Sequence, residues 1–230
     1  KLFQTDIENL MREYCQHLFL SYLYQQKGSE RMLFKGGTAL RIVCRSPRFS
    51  EDLDFTGSSI SHREIETIMY ATLEMIKNTS ISVVFRESKP TTGGYLGIVE
   101  FQINGTTVRI QIEVSLRNNK KIVGTRAVIV SDYLPPYTLV HLPIRELIEG
   151  KIEALTARHK PRDFYDYYFL LSGDFPVVRE GKTPAVVLSL LHSAKINFRV
   201  ELKKFLPASH ANLLRDFNKI LEQKLMNYQL

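Results

Sequence analysis

Two aspartates two residues apart, Asp52 and Asp54, are the side chains in this 230-residue chain best placed to do chemistry. The surrounding sequence predicts a short strand over 50–56, on which alternate residues point to the same face. Two carboxylates held that close repel each other unless a cation lies between them, and Mg²⁺ or Mn²⁺ suits them because both ions prefer oxygen ligands. Such a pair can hold two metal ions that bridge a nucleoside triphosphate (NTP) and activate an attacking hydroxyl.

A glycine pair, Gly36-Gly37, lies between a predicted strand over 32–35 and a predicted helix that begins at Thr38. Because glycine lacks a Cβ atom, the backbone at such a turn can come close to a phosphate. The start of the following helix offers unpaired N–H groups and the positive end of the helix dipole. The pair therefore predicts a phosphate-binding turn.

A third carboxylate lies further along the chain. Glu113 is on a predicted strand, in phase with Arg109 and Gln111, and it can complete the ligand set of the same metal ions. Each feature also has an ordinary explanation: an isolated aspartate pair is usually solvated, a glycine pair is usually a turn, and Glu113 can pair with a cation across a hairpin. The combination of these features in this order along the chain is much rarer than any one of them alone.

A second group of charged residues follows residue 143. Lys151 and Arg158 are seven apart on one predicted helix and share a face, and Arg162 opens the next predicted helix with Asp163 and Asp166. Lysine neutralises phosphate as a point charge, whereas arginine can bind it with two N–H groups. Asp166 can orient the ammonium group of Lys151 or act as the general base on an acceptor hydroxyl.

These charges also have a structural interpretation. Arg162 and Asp166 are four apart and can form an ordinary surface ion pair worth about 0.3–0.5 kcal/mol. Lys160 lies between Arg158 and Arg162 and extends a basic patch that suits an RNA backbone.

The pattern of the rest of the chain predicts an α/β front half, residues 1–142, and a helical lobe, residues 143–230. In the front half, periodic apolar residues predict a helix over 5–26, and Ser61 with Glu64 predicts a helix N-terminus. Asn104-Gly105 predicts a hairpin turn. Strands are predicted over 81–85, 95–103, 107–116, 126–130 and 137–142, and C-terminal helices over 143–158, 162–171, 184–199 and 208–227.

Composition limits the function classes. The chain has 44% hydrophobic residues and a formal charge of +7, and the basic excess favours a polyanionic partner. Two cysteines without metal-ligand spacing, scattered histidines, and the lack of a P-loop or GxSxG motif argue against a zinc hydrolase, a P-loop enzyme and a serine hydrolase. Without a signal peptide or an apolar run of membrane-spanning length, we expect a cytoplasmic protein.

The order of glycine pair, aspartate pair and later acidic strand resembles the DNA polymerase β-like nucleotidyltransferases. More narrowly, FKGGTAL followed by RFSEDLDF, over residues 34–55, is similar to the AbiEii/AbiGii toxin family, which includes the MenT-type toxins. The similarity returns at Lys151 and in the segment from Arg162 to Asp166. It implies an α+β fold, in which a mixed, mainly antiparallel sheet with flanking helices is followed by a helical lobe that completes the active site and contacts the acceptor.

The resemblance also implies a function: metal-dependent transfer of a nucleoside monophosphate from an NTP to RNA, at the 3′ end of tRNA. The enzyme would be a toxin of a toxin–antitoxin or phage-defence system that blocks translation and has a cognate antitoxin. The resemblance implies catalytic roles for Asp52, Asp54, Lys151 and Asp166. By the same resemblance, NTP would be bound by Gly36, Gly37, Thr38, Ser50 and Lys151, and Mg²⁺ or Mn²⁺ by Asp52 and Asp54, with Glu113 as an additional ligand.

Two alternatives remain open at the level of sequence. One is a module that keeps the fold and binds RNA or protein without catalysis, for which RNA binding would depend on salt but not on Mg²⁺ or NTP. The other is a nucleotidyltransferase that acts on a small molecule or on a protein hydroxyl.

Overall fold

The computed structural model describes residues 4–116, 120–173, 175–194 and 196–228. The chain divides into two compact units. The sheet unit consists of Ile7–Arg45 and Phe49–Pro143. The helical unit consists of residues 4–6, the tripeptide Ser46–Arg48 and the described residues from Ile144 onward.

The sheet unit begins with a helix and then alternates short strands and helices before a run of strands. Its elements are α1 (Ile7–Leu23), β1 (Met32–Lys35), α2 (Gly36–Ile42), β2 (Leu53–Gly57), α3 (His62–Lys77), β3 (Ser82–Thr91), β4 (Gly94–Ile103), β5 (Thr106–Ser115), β6 (Thr125–Ile129) and β7 (Tyr137–His141).

These strands form one sheet in the order β3-β4-β5-β2-β1-β7-β6. In the described part of the chain, β2 pairs with β5 and β1 with β7 in parallel, whereas the other four pairings are antiparallel. The predicted mixed, mainly antiparallel sheet with flanking helices is therefore confirmed.

The two faces of strands β3, β4, β5 and β2 differ in character. One face is apolar and buried, and it packs against α1 and α3; it carries Phe55, Val83, Val99, Phe101 and Ile112. We call the other the open face, and it carries Asp54, Leu96, Ile98, Glu100, Arg109, Gln111 and Glu113. All of these side chains except Glu100 are partly or fully exposed. Chemistry that needs access to substrate therefore belongs to the open face.

Local signals in the sequence mark several boundaries correctly. Ser61 and Glu64 form the predicted capping box at the start of α3. Asn104 and Gly105 both have positive φ angles, 50° and 79°, and close the predicted hairpin between β4 and β5.

Two boundaries near the predicted site differ from the prediction. The helix expected to begin at Thr38 begins at Gly36, so the glycine pair forms its first turn. The strand expected over 50–56 begins at Leu53, and Asp52 therefore precedes it. The strand starts late because the backbone before Leu53 is held by hydrogen bonds from side chains and not by pairing with another strand.

The helical unit is built from two long helices and several short ones. Its α-helices are α4 (Ile144–Arg158), α5 (Pro161–Ser172), α6 (Thr183–Ser193), α7 (Phe198–Leu202), α8 (Ala211–Arg215) and α9 (Phe217–Met226). The helix predicted over 184–199 ends at Ser193, and the Asn197 side chain accepts a hydrogen bond from Val200 N–H at the start of α7. Lys195, within that prediction, lies outside the described residues. The helix predicted over 208–227 is interrupted at Asp216, which occupies the N-cap of α9.

Aromatic side chains form the core of the helical unit. Tyr165 is buried and stacks on Phe217, with ring centroids 5.9 Å apart, and Phe164 meets Phe198 edge to face at 5.7 Å. This packing anchors α5 and leaves its charged residues in fixed positions. In the described parts of both units, no helix is both long enough and apolar enough to cross a membrane.

Candidate active site

The glycine turn lies against the acidic strand. Gly36 has a φ angle of +85°, a left-handed conformation that glycine adopts without strain. A Cβ atom placed on Gly36 would lie 2.1 Å from Asp54 Oδ2 and 2.8 Å from Asp54 Cγ. The predicted convergence of Gly36 and Asp54 is thus present in the structure, and only glycine leaves room for it.

Asp54 is the centre of a row of three charged residues on adjacent strands. In the β1–β2 ladder it lies opposite Lys35, and in the parallel β2–β5 ladder it is the partner of Glu113. Residues paired in this way share a face, and neighbouring strands are about 4.8 Å apart. All three line a cleft of about 390 Å³. The predicted meeting of Asp54 and Glu113 is observed.

Lys35 is a site residue that the sequence analysis missed. It is the last residue of β1 and directly precedes the glycine turn, so its side chain shares the face of Asp54. Its position in the sequence could have predicted this role, because a cation immediately before a glycine pair is well placed to contact a phosphate.

The loop before β2 is held from two helices. Gln16 of α1 donates hydrogen bonds from Nε2 to the backbone carbonyls of Ser50 (3.0 Å) and Glu51 (3.1 Å). Thr38 of α2 donates from Oγ1 to the backbone carbonyl of Asp52 (2.5 Å). These bonds determine where the chain enters β2 and hence where Asp54 lies.

This arrangement bears on two predicted nucleotide-binding residues. The Thr38 side chain is fully buried and its hydroxyl is bonded to the Asp52 carbonyl, which argues against a direct role in binding NTP. Ser50 is partly exposed, and its role stays a prediction.

The three predicted metal ligands do not form one compact set. In the described chain, no three or more His, Cys, Asp or Glu side chains are grouped as metal ligands. Asp54 and Glu113 are neighbours on the open face, whereas Asp52 precedes the strand. Binding of a metal ion by Asp52 stays a prediction.

In the helical unit, Asp166 of α5 forms a buried ion cluster. Its Oδ1 accepts from Arg48 Nε (2.7 Å), and its Oδ2 accepts from Arg48 Nη2 (2.9 Å) and Lys151 Nζ (2.9 Å). The Asp166 side chain is 1% exposed. Burial alone would raise the pKa of Asp166, but the charges of Arg48 and Lys151 outweigh it and lower the pKa.

This cluster decides between two interpretations of Asp166. The surface pair considered for Arg162 and Asp166 is not what holds Asp166, because Arg48 and Lys151 occupy its oxygens. A buried carboxylate with a lowered pKa is a poor general base, so the geometry favours the orienting role. The sequence analysis missed Arg48, because nothing in the local pattern links residue 48 to residue 166.

The three predicted RNA-binding residues differ in their contacts. Arg158 donates two hydrogen bonds to the buried Asp163 carboxylate, at 2.8 and 2.6 Å, which ties the end of α4 to the start of α5. Lys160 is exposed. Among the described residues, the buried Nε of Arg162 has no hydrogen-bond partner.

Taken together, a glycine turn against an acidic strand of a mixed sheet indicates a nucleotidyltransferase of the DNA polymerase β-like class. A family model described as nucleotidyl transferase AbiEii toxin, Type IV TA system, matches residues 18–226. The chain belongs to this family of nucleotidyltransferase toxins, as the resemblance in the sequence predicted. A search of curated proteins by sequence finds no match.

Solved structures share the fold at low sequence identity. MenT4, a nucleotidyltransferase toxin from Mycobacterium tuberculosis, is 18% identical with a TM-score of 0.62, over 96% of this chain and 84% of MenT4. JHP933 from Helicobacter pylori is 19% identical with a TM-score of 0.62, over 97% of this chain and 93% of JHP933. At this identity, the similarity establishes the fold.

Replacing Gly36 with alanine tests the contact with Asp54. We expect a large loss of nucleotidyl transfer, because the added methyl group must displace the Asp54 carboxylate, in addition to a strain of about 1–2 kcal/mol from the left-handed backbone. The matched control is Gly105→Ala, since Gly105 has a φ angle of +79° and no atom within 4 Å of the added Cβ. The transfer rates and the free energies of unfolding in urea, measured for both variants, separate the displacement of Asp54 from the backbone strain. Equal activity of the two variants would contradict the predicted role of Gly36.

Proposed function

We propose that this toxin transfers a nucleoside monophosphate from an NTP to the 3′ end of tRNA and thereby blocks translation. The observation that carries the proposal is the contact of the Gly36 turn with Asp54, beside Glu113 and Lys35, in a member of a nucleotidyltransferase family. Such a row offers phosphate-neutralising and metal-binding groups within one cleft.

The proposed reaction is an in-line displacement at phosphorus. The oxygen of the acceptor 3′ hydroxyl attacks the α-phosphorus of the NTP, and the bond from that phosphorus to the bridging oxygen breaks. The products are the extended RNA, pyrophosphate and the proton released by the hydroxyl. Catalysis of such a step depends mainly on positioning and on stabilising charge.

The donor set on the open face fits a divalent cation. Asp54 and Glu113 are adjacent carboxylates, and Mg²⁺ is commonly bound by one or two carboxylates together with substrate phosphates. When bound, Mg²⁺ or Mn²⁺ supplies Lewis-acid stabilisation of charge on the phosphoryl oxygens. Asp52 is retained as a further candidate ligand.

The chain's own residues then have distinct roles. Gly36 and Gly37 allow the backbone to approach the triphosphate, and Lys35 neutralises part of its charge. Lys151 is proposed as a second phosphate-neutralising group. Asp166, held in turn by Arg48, would orient the Lys151 ammonium.

The helical unit is proposed to contribute to binding the acceptor. Lys160 is exposed, and it lies two residues before the partly exposed Arg162. Arg158 would act partly through its ion pair with Asp163. The net charge of +7 supports RNA as the acceptor.

The biological setting follows from the family and the substrates. Membership of a toxin–antitoxin family supports a cognate antitoxin as a partner. Since NTP and tRNA are substrates found in the cytoplasm, we propose that the toxin acts there.

The direct test is incubation of the purified protein with total tRNA, Mg²⁺ and each labelled NTP in turn. We expect labelled tRNA with at least one NTP and no label in the presence of excess EDTA. Label in protein or in a small molecule would support the alternative acceptors instead. Absence of any labelled product with all four NTPs, together with RNA binding that ignores Mg²⁺ and NTP, would contradict the proposal and favour a non-catalytic module.

A further inference from the structure

Two arginines surround one carboxylate on the open face, away from the acidic pair. Glu100 of β4 accepts hydrogen bonds from Arg109 Nη2 and from Arg86 Nε, both at 2.5 Å. The Glu100 side chain is 6% exposed, whereas Arg86 and Arg109 are 59% and 66% exposed. Glu100 thus orients two guanidinium groups that still face solvent, and the cluster keeps a net positive charge.

A β-bulge contributes to this cluster. The pairing of β3 with β4 shifts between Phe85 and Glu87, so Arg86 is the extra residue of the bulge. A bulge redirects the side chain of the extra residue, and bulges are common beside functional sites. The two guanidinium groups are mostly exposed, so solvent screens them and reduces what these ion pairs add to folding stability.

The cluster and the acidic pair lie at two ends of one strip. Glu113 and Arg109 are four residues apart on β5, which corresponds to about 14 Å. Between them lie Gln111, which donates a hydrogen bond to Glu113, and its partner on the neighbouring strand β4, the partly exposed Ile98; Leu96 of β4 lies opposite Glu113. The strip therefore runs from acidic groups, past Gln111 and Ile98, to basic groups.

We infer that this strip is a subsite for the acceptor RNA strand. Arg86 and Arg109 bind backbone phosphate, Leu96 and Ile98 contact sugars or bases, and the terminal hydroxyl lies towards Asp54. A distance of about 14 Å corresponds to about four stacked nucleotides at 3.4 Å each. The inference rests on the proposed function, because it takes RNA to be the acceptor.

Arginine is the side chain suited to this role. Its planar guanidinium group can donate to Glu100 on one edge and to a phosphate on the other. Phosphate contacts position a nucleic acid without reading its sequence. The subsite therefore predicts weaker binding of RNA, and not altered base preference, when the arginines are removed.

The test compares the double variant Arg86→Gln/Arg109→Gln with wild-type protein. The probe is a fluorescent RNA hairpin with a four-nucleotide single-stranded 3′ end, titrated at 50–200 mM KCl. We expect the Kd to rise roughly 10-fold and the slope of log K against log salt to fall by about 1.4, the value for two contacts to single-stranded phosphates. In the transfer assay the KM for RNA should rise with little change in kcat, and the affinity for NTP should not change.

The matched control is Arg31→Gln/Lys77→Gln. It removes two cations that pair with Glu64 and Glu74 of α3, the helix that packs on the opposite face of the sheet. We expect it to change the Kd and the slope much less than the double variant. Equal effects of the two double variants would overturn the subsite.

Other outcomes separate the subsite from the proposed function. If wild-type protein transfers nucleotide to RNA but the arginine variant keeps its KM and Kd, the subsite is wrong and the function stands. If wild-type protein binds RNA through these arginines but transfers nothing, the binding strip stands and the function is wrong. If it neither binds nor modifies RNA, both are wrong. Should the double variant unfold, each single variant, in which one arginine still covers Glu100, must lower the slope by about 0.7.

Discussion

Replacing Asp54 with asparagine is expected to lower nucleotidyl transfer by about 1,000-fold or more, equivalent to about 4 kcal/mol of transition-state free energy. Asp54 lies between Lys35 and Glu113 and against the Gly36 turn, so its carboxylate charge is central to the row that would hold the cation and the triphosphate. Asparagine has nearly the same shape but no charge, and it is a poorer ligand for Mg²⁺. The measurement is the initial rate of labelled NMP incorporation into tRNA at saturating NTP.

The same substitution should leave the fold intact. Asp54 is partly exposed on the open face, so asparagine creates no core cavity, and we expect the free energy of unfolding to change by less than about 1 kcal/mol. The control is Asp132→Asn, which removes an exposed carboxylate elsewhere in the sheet unit and should retain activity. An Asp54→Asn variant that keeps a tenth or more of the wild-type rate would show that this row is not the catalytic centre.

Replacing Asp166 with asparagine is expected to destabilise the protein by about 3–5 kcal/mol. The substitution removes the anion from a buried cluster and leaves the charges of Arg48 and Lys151 without their counterion. A buried charge without a partner costs far more than the intact pair contributes. The measurement is the free energy of unfolding from urea titrations followed by circular dichroism.

The matched comparison is Arg48→Met. This change leaves Asp166 and Lys151 as a balanced pair, so we expect a smaller loss of stability, about 1.5–3 kcal/mol. A loss for Arg48→Met that equals or exceeds the loss for Asp166→Asn would contradict the charge argument.

The pH dependence gives an independent check of the cluster. Burial opposes ionisation of Asp166, but Arg48 and Lys151 outweigh it, so the folded-state pKa lies below the ordinary value of about 4. A depressed carboxyl pKa contributes stability that is fully present above the ordinary value and is lost as the pH falls towards the lowered one. The stability difference between wild-type protein and Asp166→Asn should therefore be constant from pH 7 to about 5 and should shrink below about 4. A difference that grows on acidification would contradict this assignment.

Short-range features of the site could be predicted because they depend on residues close together in the chain. The Gly36 turn follows from a glycine pair after an apolar strand, and the hairpin at Asn104-Gly105 follows from the φ angles that this dipeptide tolerates. The capping box at Ser61 likewise needs only residues three apart. The presence of Glu113 beside Asp54 was a correct expectation that drew on the family resemblance as well as on strand phase.

Features that depend on contacts distant in sequence could not be predicted in the same way. The link between Arg48 and Asp166 spans 118 residues, and no local pattern signals it. The late start of the predicted strand, at Leu53 instead of Ser50, arises from hydrogen bonds that Gln16 and Thr38 make to the preceding loop. The bulge at Arg86 depends on a register shift against β4.

The amino-acid sequence by itself determined the family of the protein, through the resemblance of its motifs, and it predicted where the chemistry lies. Side-chain type, spacing and periodicity act over a few residues, and together with the family resemblance they singled out the glycine turn, Asp54, Glu113 and the charged pair Lys151 and Asp166 as candidates. Tertiary structure alone decided which charges are partners. Arg48 is bound to Asp166, Lys35 lies opposite Asp54, and Thr38 is buried against the loop, because burial and strand register bring together side chains whose separation along the chain carries no signal.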